Sequence, residues 1–177
     1  WAGVMNKNRK YAVIIILVTN AIIISILESL IPIPVPVPGV KLGLASIITL
    51  LGLAFLSTKD VLIIVTIRSF VVALLTRGIM TLPFSLSGGI VSALLMALLY
   101  KKFLKIFSIK GISIVGAIAH NTTQITVASL LLGELVILYY LPILLVSAVI
   151  TGFITGSIGE ITIKEIEKKG LFTVNEK

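Results

Sequence analysis

Two charged residues that could do chemistry stand inside long apolar stretches of this chain. Arg68 lies near the centre of one stretch, and Glu28 lies near the end of another. A charge in the middle of a bilayer costs about 2.5–3.5 kcal/mol or more, so such a residue needs a partner, a cavity or a route to the interface. The guanidinium of Arg68 suits an anionic group, for instance a carboxylate or a phosphate. A structural ion pair with Glu28 is the alternative.

A cluster of hydrogen-bonding residues, His120-Asn121-Thr122-Thr123-Gln124, interrupts a third apolar stretch. His120 and Gln124 are one helical turn apart and share a face, whereas Asn121 projects about 100° away, towards a neighbouring helix. The cluster favours the polar wall of a ligand pocket, and hydrogen-bonded contact between helices is the alternative. Because the histidine has no nearby cysteine or carboxylate in the sequence, we predict no metal site.

The composition places these residues in a membrane protein. Of the 177 residues, 58% are hydrophobic and 12% are charged, against roughly 45–50% and 25% in soluble domains. The length accommodates about six spans of roughly 20 residues each and no sizeable soluble domain. The chain has no cysteine, which excludes disulfides, thiolate catalysis and cysteine-ligated metals. We attribute the net charge of +8 to flanks that face anionic lipid, not to nucleic-acid binding.

The sequence predicts an all-α integral membrane protein with a single six-helix domain over residues 11–159. A cytoplasmic segment, 1–10, precedes it, and a cytoplasmic amphipathic tail, 160–177, follows. The predicted spans cover residues 11–30, 43–57, 61–75, 83–100, 112–132 and 135–158.

The distribution of basic residues predicts the orientation. With both termini in the cytoplasm, most of the 15 Lys and Arg residues lie on the inner side, as the positive-inside rule requires. These inner residues are Lys7, Arg9, Lys10, Lys59, Lys101, Lys102, Lys105, Lys110, Lys164, Lys168, Lys169 and Lys177. We therefore expect a multi-pass protein of the cell membrane.

A proline-rich segment follows the first predicted span. Prolines at positions 32, 34, 36 and 38 remove backbone donors and fix φ, so this apolar segment cannot be a helix. We expect an extended external loop. It is either a stiff connector or a cap over a binding cavity, with Glu28 and Lys41 at its two ends.

Signatures of catalysis are missing from the sequence. The chain has no phosphate-binding loop of the GxxxxGK[ST] type. Prenyl transfer from diphosphates commonly needs aspartate-rich, magnesium-binding motifs, and the single aspartate is Asp60. We therefore predict that the protein is not an enzyme and has no cofactor.

Three blocks of the sequence resemble a known family. The stretch from Glu28 to Ala45, with Pro38-Gly39-Val40-Lys41-Leu42-Gly43 at its centre, is similar to the Gx transporter family, also called heptaprenyl diphosphate synthase component I. Ser87-Gly88-Gly89 and the stretch from Gly116 to Gln124 look like its later blocks. The resemblance covers about residues 11–159.

That family is similar to the substrate-binding (S) components of energy-coupling factor (ECF) transporters. The resemblance implies a six-helix bundle with the substrate near the outer side, a transmembrane partner and two ATPases. Such components often dock the partner through Ala-x-x-x-Ala on the first helix, and the nearest match here is Ala21 and Ser25. Some relatives look like membrane partners of FMN-binding electron-transfer proteins.

The sequence thus predicts the substrate-binding component of an ECF-type uptake transporter for a small molecule. One alternative is a non-catalytic membrane subunit in quinone, isoprenoid or flavin-linked electron transfer. Another is an accessory subunit of prenyl diphosphate synthesis. The residues predicted to bind the substrate are Glu28, Lys41, Arg68, His120, Asn121 and Gln124.

Overall fold

The computed structural model describes residues 6–30, 43–104 and 106–170. Within these ranges the protein is helical and has no strand, which confirms the predicted all-α class. The six α-helices are α1 (Lys7–Ser29), α2 (Ser46–Phe55), α3 (Thr58–Val72), α4 (Leu82–Lys102), α5 (Ile109–Leu132) and α6 (Leu141–Lys168). A π-helical turn, Ala73–Arg77, follows α3, and the 3₁₀ turns Ile79–Thr81 and Leu135–Tyr140 precede α4 and α6. The predicted proline-rich loop and Lys41 lie outside the described residues.

Three helical stretches are long and apolar enough to cross a membrane: Lys7–Ser29, Ile79–Lys102 and Leu135–Lys168. Large apolar side chains also cover the outside of the bundle. Ile15, Ile16 and Ile23 of α1, for example, are at least half exposed. Contiguous apolar surface of this kind is rare on soluble monomers, so these features indicate a membrane protein.

Helix α5 packs along both α4 and α6. The contact with α6 depends on Gly152 and Gly156, which lie four residues apart in that helix. A Cβ atom at Gly152 would lie 2.6 Å from the Cα of Ile114, and one at Gly156 would lie 2.7 Å from the Cα of Lys110. The absence of side chains there lets the two backbones approach closely.

Helix α2 is short and enclosed by the rest of the protein. Its 10 residues span only about 15 Å, half the thickness of the hydrocarbon core of a bilayer. Most of its side chains are buried, including Leu50, which packs against Gly159 of α6. The sequence leaves two interpretations for a span this short: it gains depth from the proline-rich approach, or it packs within protein and not against lipid. The burial of α2 agrees with the second, and the proline-rich approach lies outside the described residues.

The helix ends follow local chemistry. Pro83 lies in the first turn of α4, as predicted. Gly133 ends α5 in the left-handed conformation that glycine adopts without strain. The tail after residue 159 is not a separate helix: it continues α6 to Lys168, because Ile163 packs into the buried core.

Candidate functional site

A small polar cavity lies among five of the six helices. Its volume of about 10 Å³ leaves room for roughly one water molecule. Its lining consists of polar residues and glycine: Ser25, Glu28, Gly43, Ser46, Thr49, Arg68, Ser85, Gly89, Ser92 and His120. A polar cavity inside an apolar helical bundle is costly unless its groups find partners, so it is the candidate ligand site.

Glu28 of α1 joins this cavity to the start of α2. Its side chain is only 2% exposed, and its Oε1 atom accepts hydrogen bonds from the backbone nitrogens of Gly43 (2.5 Å) and Leu44 (3.3 Å). Gly43 has φ +90°, a conformation that favours glycine. The carboxylate therefore ties α1 to the backbone at Gly43 and Leu44, just before α2.

Arg68 of α3 carries the positive charge of the cavity and is 7% exposed. It interacts electrostatically with Glu28, but no ion-pair contact joins the two within the described part of the chain. Gly89 of α4 makes room for the guanidinium, because a Cβ atom there would lie 3.2 Å from Nη2 of Arg68. Arg68 and Glu28 therefore both line the cavity and interact electrostatically without the direct contact of an ion pair.

The polar cluster of α5 supplies the opposite wall. His120 lines the cavity, and Gln124 is fully buried beside it. Gly88 of α4 fits tightly against both, since a Cβ atom there would lie 2.8 Å from Cγ of Gln124 and 2.9 Å from the carbonyl oxygen of His120. The structure therefore brings His120 to the cavity, whereas the predicted Gln124 lies buried next to His120 and is not among the lining residues.

Asn121 points away from that pair, as its position on the helix predicts. Its Nδ2 donates a hydrogen bond of 3.0 Å to the carbonyl oxygen of Leu144 in α6. Its Oδ1 atom is buried and has no hydrogen-bond partner among the described residues. This oxygen would lie 4.0 Å from a Cβ atom at Gly43, so an unsatisfied acceptor stands just behind the cavity wall.

Sequence reasoning missed the hydroxyl groups of the site. Ser46 and Thr49 of α2 and Ser85 and Ser92 of α4 all line the cavity. The spacing of three residues between Ser46 and Thr49 in a short apolar helix was a signal that could have found them. The Ser46 hydroxyl is buried and, within the described ranges, unpaired.

The two residues predicted to dock a partner are buried. Ala21 is 1% exposed, and Ser25 lines the cavity. Their docking role stays a prediction, and in this conformation it would require α1 to move away from the bundle. The outer face of α1 is formed instead by bulky apolar residues such as Ile23 and Leu27.

The arrangement offers a cation, a carboxylate, an imidazole and several hydroxyls in a buried space, which suits the binding of a small polar molecule. Within residues 6–30, 43–104 and 106–170, no group of three or more His, Cys, Asp or Glu side chains could hold a metal ion. Lys41, the remaining predicted site residue, lies outside those ranges.

Comparison with known proteins gives one family. No curated protein and no solved structure matches the chain. The family model described as heptaprenyl diphosphate synthase component I matches residues 17–162, a range that includes every residue lining the cavity. The chain belongs to the heptaprenyl diphosphate synthase component I family.

Proposed function

We propose that this protein is a substrate-binding membrane component of a transporter and that it binds a small polar molecule at the cavity among α1–α5, which has to widen beyond its present volume of about one water to admit it. The observation that carries the proposal is the placement of Glu28, Arg68 and His120 around one buried cavity. Three different helices supply these side chains, and all three are costly to bury among apolar neighbours. A protein that only needed its helices to associate would not require such a set.

The proposal includes six membrane spans with both termini in the cytoplasm. Helix α2 counts as the second span, although it is short for a bilayer. In this orientation, the basic residues at the start of α1 and those at the C-terminal ends of α4 and α6 face the anionic inner leaflet. Lys110 at the start of α5 lies on the same side, beside Glu160 of α6.

The transporter that we propose is of the energy-coupling factor type, with a transmembrane partner and two ATPases. This chain has no phosphate-binding loop of its own, so energy for uptake would come from the partners. We also propose that the chain is not itself an enzyme.

The family description favours a second candidate, an accessory subunit in the synthesis of heptaprenyl diphosphate. Catalysis by this chain itself is a weaker proposal, because its single aspartate is engaged elsewhere. Asp60 forms an ion pair of 2.8 Å with Lys10 and a capping box with Ser57. An accessory role predicts that a purified prenyl diphosphate synthase gains activity when this protein is added.

Native mass spectrometry of the gently purified protein tests the first candidate. We expect a small molecule to be retained by the wild type and lost from Gln124→Leu, which removes the amide beside His120. The matched control is Thr126→Val on the exposed side of α5, where the Thr126 hydroxyl donates to the carbonyl oxygen of Thr122 and to no other described residue. Retention of the same molecule by Gln124→Leu and by Arg68→Gln would remove the cavity as the binding site.

A further inference from the structure

Helix α1 carries a polar residue on the side that faces away from the bundle. Asn20 is exposed and lies two residues from the middle of α1, which is long and apolar enough to cross a membrane. We infer that two copies of this chain pair through α1, as parallel helices in contact along a stripe of residues that contains Asn20. The pairing does not involve the cavity, whose α1 residues Ser25 and Glu28 lie on the buried side of the helix.

The carboxamide of Asn20 has unused hydrogen-bonding capacity. Its Nδ2 donates a hydrogen bond of 2.8 Å to the carbonyl oxygen of Ile16, one turn earlier in the helix. A carboxamide offers two N–H donors and an acceptor oxygen, so one N–H and Oδ1 have no partner among the residues that the structure describes. Lipid tails can satisfy neither group, whereas another helix in the membrane can.

The exposed threonines of the neighbouring helices do not have this need. Thr66 of α3 donates its hydroxyl proton to the carbonyl oxygen of Leu62, and Thr126 of α5 donates in the same way to Thr122. A hydroxyl has a single donor, so each of these donors is satisfied within its own helix. Asn20 therefore differs from them in presenting a free N–H on the outside of α1.

The exposed residues around Asn20 have the spacing of a coiled-coil seam. They recur at intervals of four and three residues: Ile16, Asn20, Ile23, Leu27 and Leu30. This spacing aligns side chains along one stripe of a helix and suits contact with a second helix of the same kind. In parallel coiled coils, a single Asn within such an apolar stripe fixes the register of the two helices. Asn20 is the one polar member of this stripe.

A second copy supplies the matching group by symmetry. Copies of one membrane protein have the same orientation, so a two-fold axis that relates them runs along the membrane normal and places each residue at the depth of its counterpart. The two Asn20 carboxamides then meet at one depth, where each can donate an N–H to the oxygen of the other. A different protein would need its own polar residue at this depth.

Disulfide cross-linking of the full chain in native membranes tests the inference, because the chain has no cysteine of its own. In a parallel symmetric pair, each residue of the stripe meets its counterpart. Ile16→Cys and Ile23→Cys should therefore form a cross-linked dimer on oxidation. Ile15→Cys is the matched control, since Ile15 is 65% exposed and lies beside Ile16 in depth, but about 100° around the helix. It should form little dimer.

Asn20→Leu tests the role of the carboxamide. We expect the variant to weaken the association of the purified full chain in lipid vesicles by about tenfold, because hydrogen bonds between the two helices are lost. Energy transfer between labelled copies, followed as lipid dilutes the protein, measures the association. Asn20→Gln keeps a carboxamide and should retain most of it. Thr66→Val, which removes the exposed hydroxyl on α3 that donates to Leu62, should leave it unchanged.

Four outcomes would overturn the inference. The first is equal cross-linking of Ile15→Cys and Ile16→Cys. The second is a wild-type protein that stays monomeric at every ratio of protein to lipid. The third is an association that Asn20→Leu does not weaken. The fourth is cross-linking of Ile16→Cys to a different membrane protein without any dimer, which would assign this face of α1 to that protein.

Discussion

Gly43 connects the backbone of the chain to the cavity. Its nitrogen binds Glu28, its φ is +90°, and it lies in the cavity wall close to His120 and Asn121. Among the described residues, the nearest atoms to a Cβ at this position would be 3.9 and 4.0 Å away, which is ordinary contact. The conformation, not the space, therefore accounts for glycine at this position.

Gly43→Ala is expected to destabilise the protein by about 1–2 kcal/mol through backbone strain, and to weaken ligand binding because the contact with Glu28 shifts. Gly133→Ala is the matched control, with φ +70° and no neighbouring atom within 4 Å of its Cβ. The Gly133→Ala variant should lose a similar amount of stability and should bind the ligand as the wild type does. Thermal unfolding and binding measurements check both variants. Equal binding by the two would separate Gly43 from the site.

Asp60, in the first turn of α3, should make the stability of the protein depend on pH. Burial raises the pKa of its carboxyl, but hydrogen bonds from Lys10 and Ser57 outweigh burial, so the pKa lies below its usual range. A carboxyl group whose pKa is lower in the folded than in the unfolded state stabilises the folded protein when it is ionised. This stabilisation is complete at pH values above the unfolded-state pKa, about 3.9. This contribution is lost as pH falls through the folded-state pKa.

The Tm difference between the wild type and Asp60→Asn is therefore expected to shrink as pH falls from about 5 to about 3. Lys10→Met should reproduce part of the effect, because it removes the partner 2.8 Å away. Melting curves measured across this pH range provide the check. A difference that stays constant with pH would mean that the Lys10 contact is too weak to matter.

At the scale of the helices, two adjacent glycines of α4 let the polar residues of its neighbours meet. Gly88 faces Gln124 and His120 of α5, whereas Gly89 faces Val65 and Arg68 of α3. Because successive residues of a helix point about 100° apart, the pair opens two different faces of α4. Both walls of the cavity depend on this short segment.

Gly88→Ala is expected to destabilise the protein by about 1–3 kcal/mol, since its Cβ would overlap the backbone of α5. Gly111→Ala in α5 is the control, because its Cβ would meet only ordinary contacts at 3.5 and 3.6 Å. That change should leave stability unchanged or raise it by about 0.5–1 kcal/mol. Denaturation of both variants in the same detergent gives the comparison. Equal stability would show that α4 and α5 can separate freely.

Local periodicity predicts what happens within one helix and little of what happens between helices. An α-helix has 3.6 residues per turn, so Asn121 is expected to point away from His120 and Gln124. The structure shows this, because Asn121 bonds Leu144 of α6 whereas His120 lines the cavity. The meeting of Ser46 with Arg68 in one cavity depends on the rotation of α2 and α3 about their axes. Packing of distant residues sets that rotation, so the sequence pattern could not predict it. The same limit applies to Ser25, which was predicted to dock a partner and which lines the cavity.

At the scale of the whole molecule, the proposed topology makes a direct prediction. The chain has no cysteine, so single cysteines can be introduced at Lys102, after the core of α4, and at Glu134, after α5. Both positions are exposed. An impermeant thiol reagent should label only position 134 in intact cells, because the basic clusters then face the cytoplasm. Permeabilised cells, in which both should react, are the control. Labelling of position 102 alone in intact cells would reverse the orientation.

The residues of the cavity come from five helices that only the complete bundle brings together. The most direct test of its role is an experimental density map of the protein purified gently, without added ligand. We expect density for a small molecule between Arg68 and Glu28, in contact with Ser46. A map in which the ligand lies outside this cavity, or in which Arg68 and Glu28 are in direct contact and leave no space between them, would contradict the proposed function.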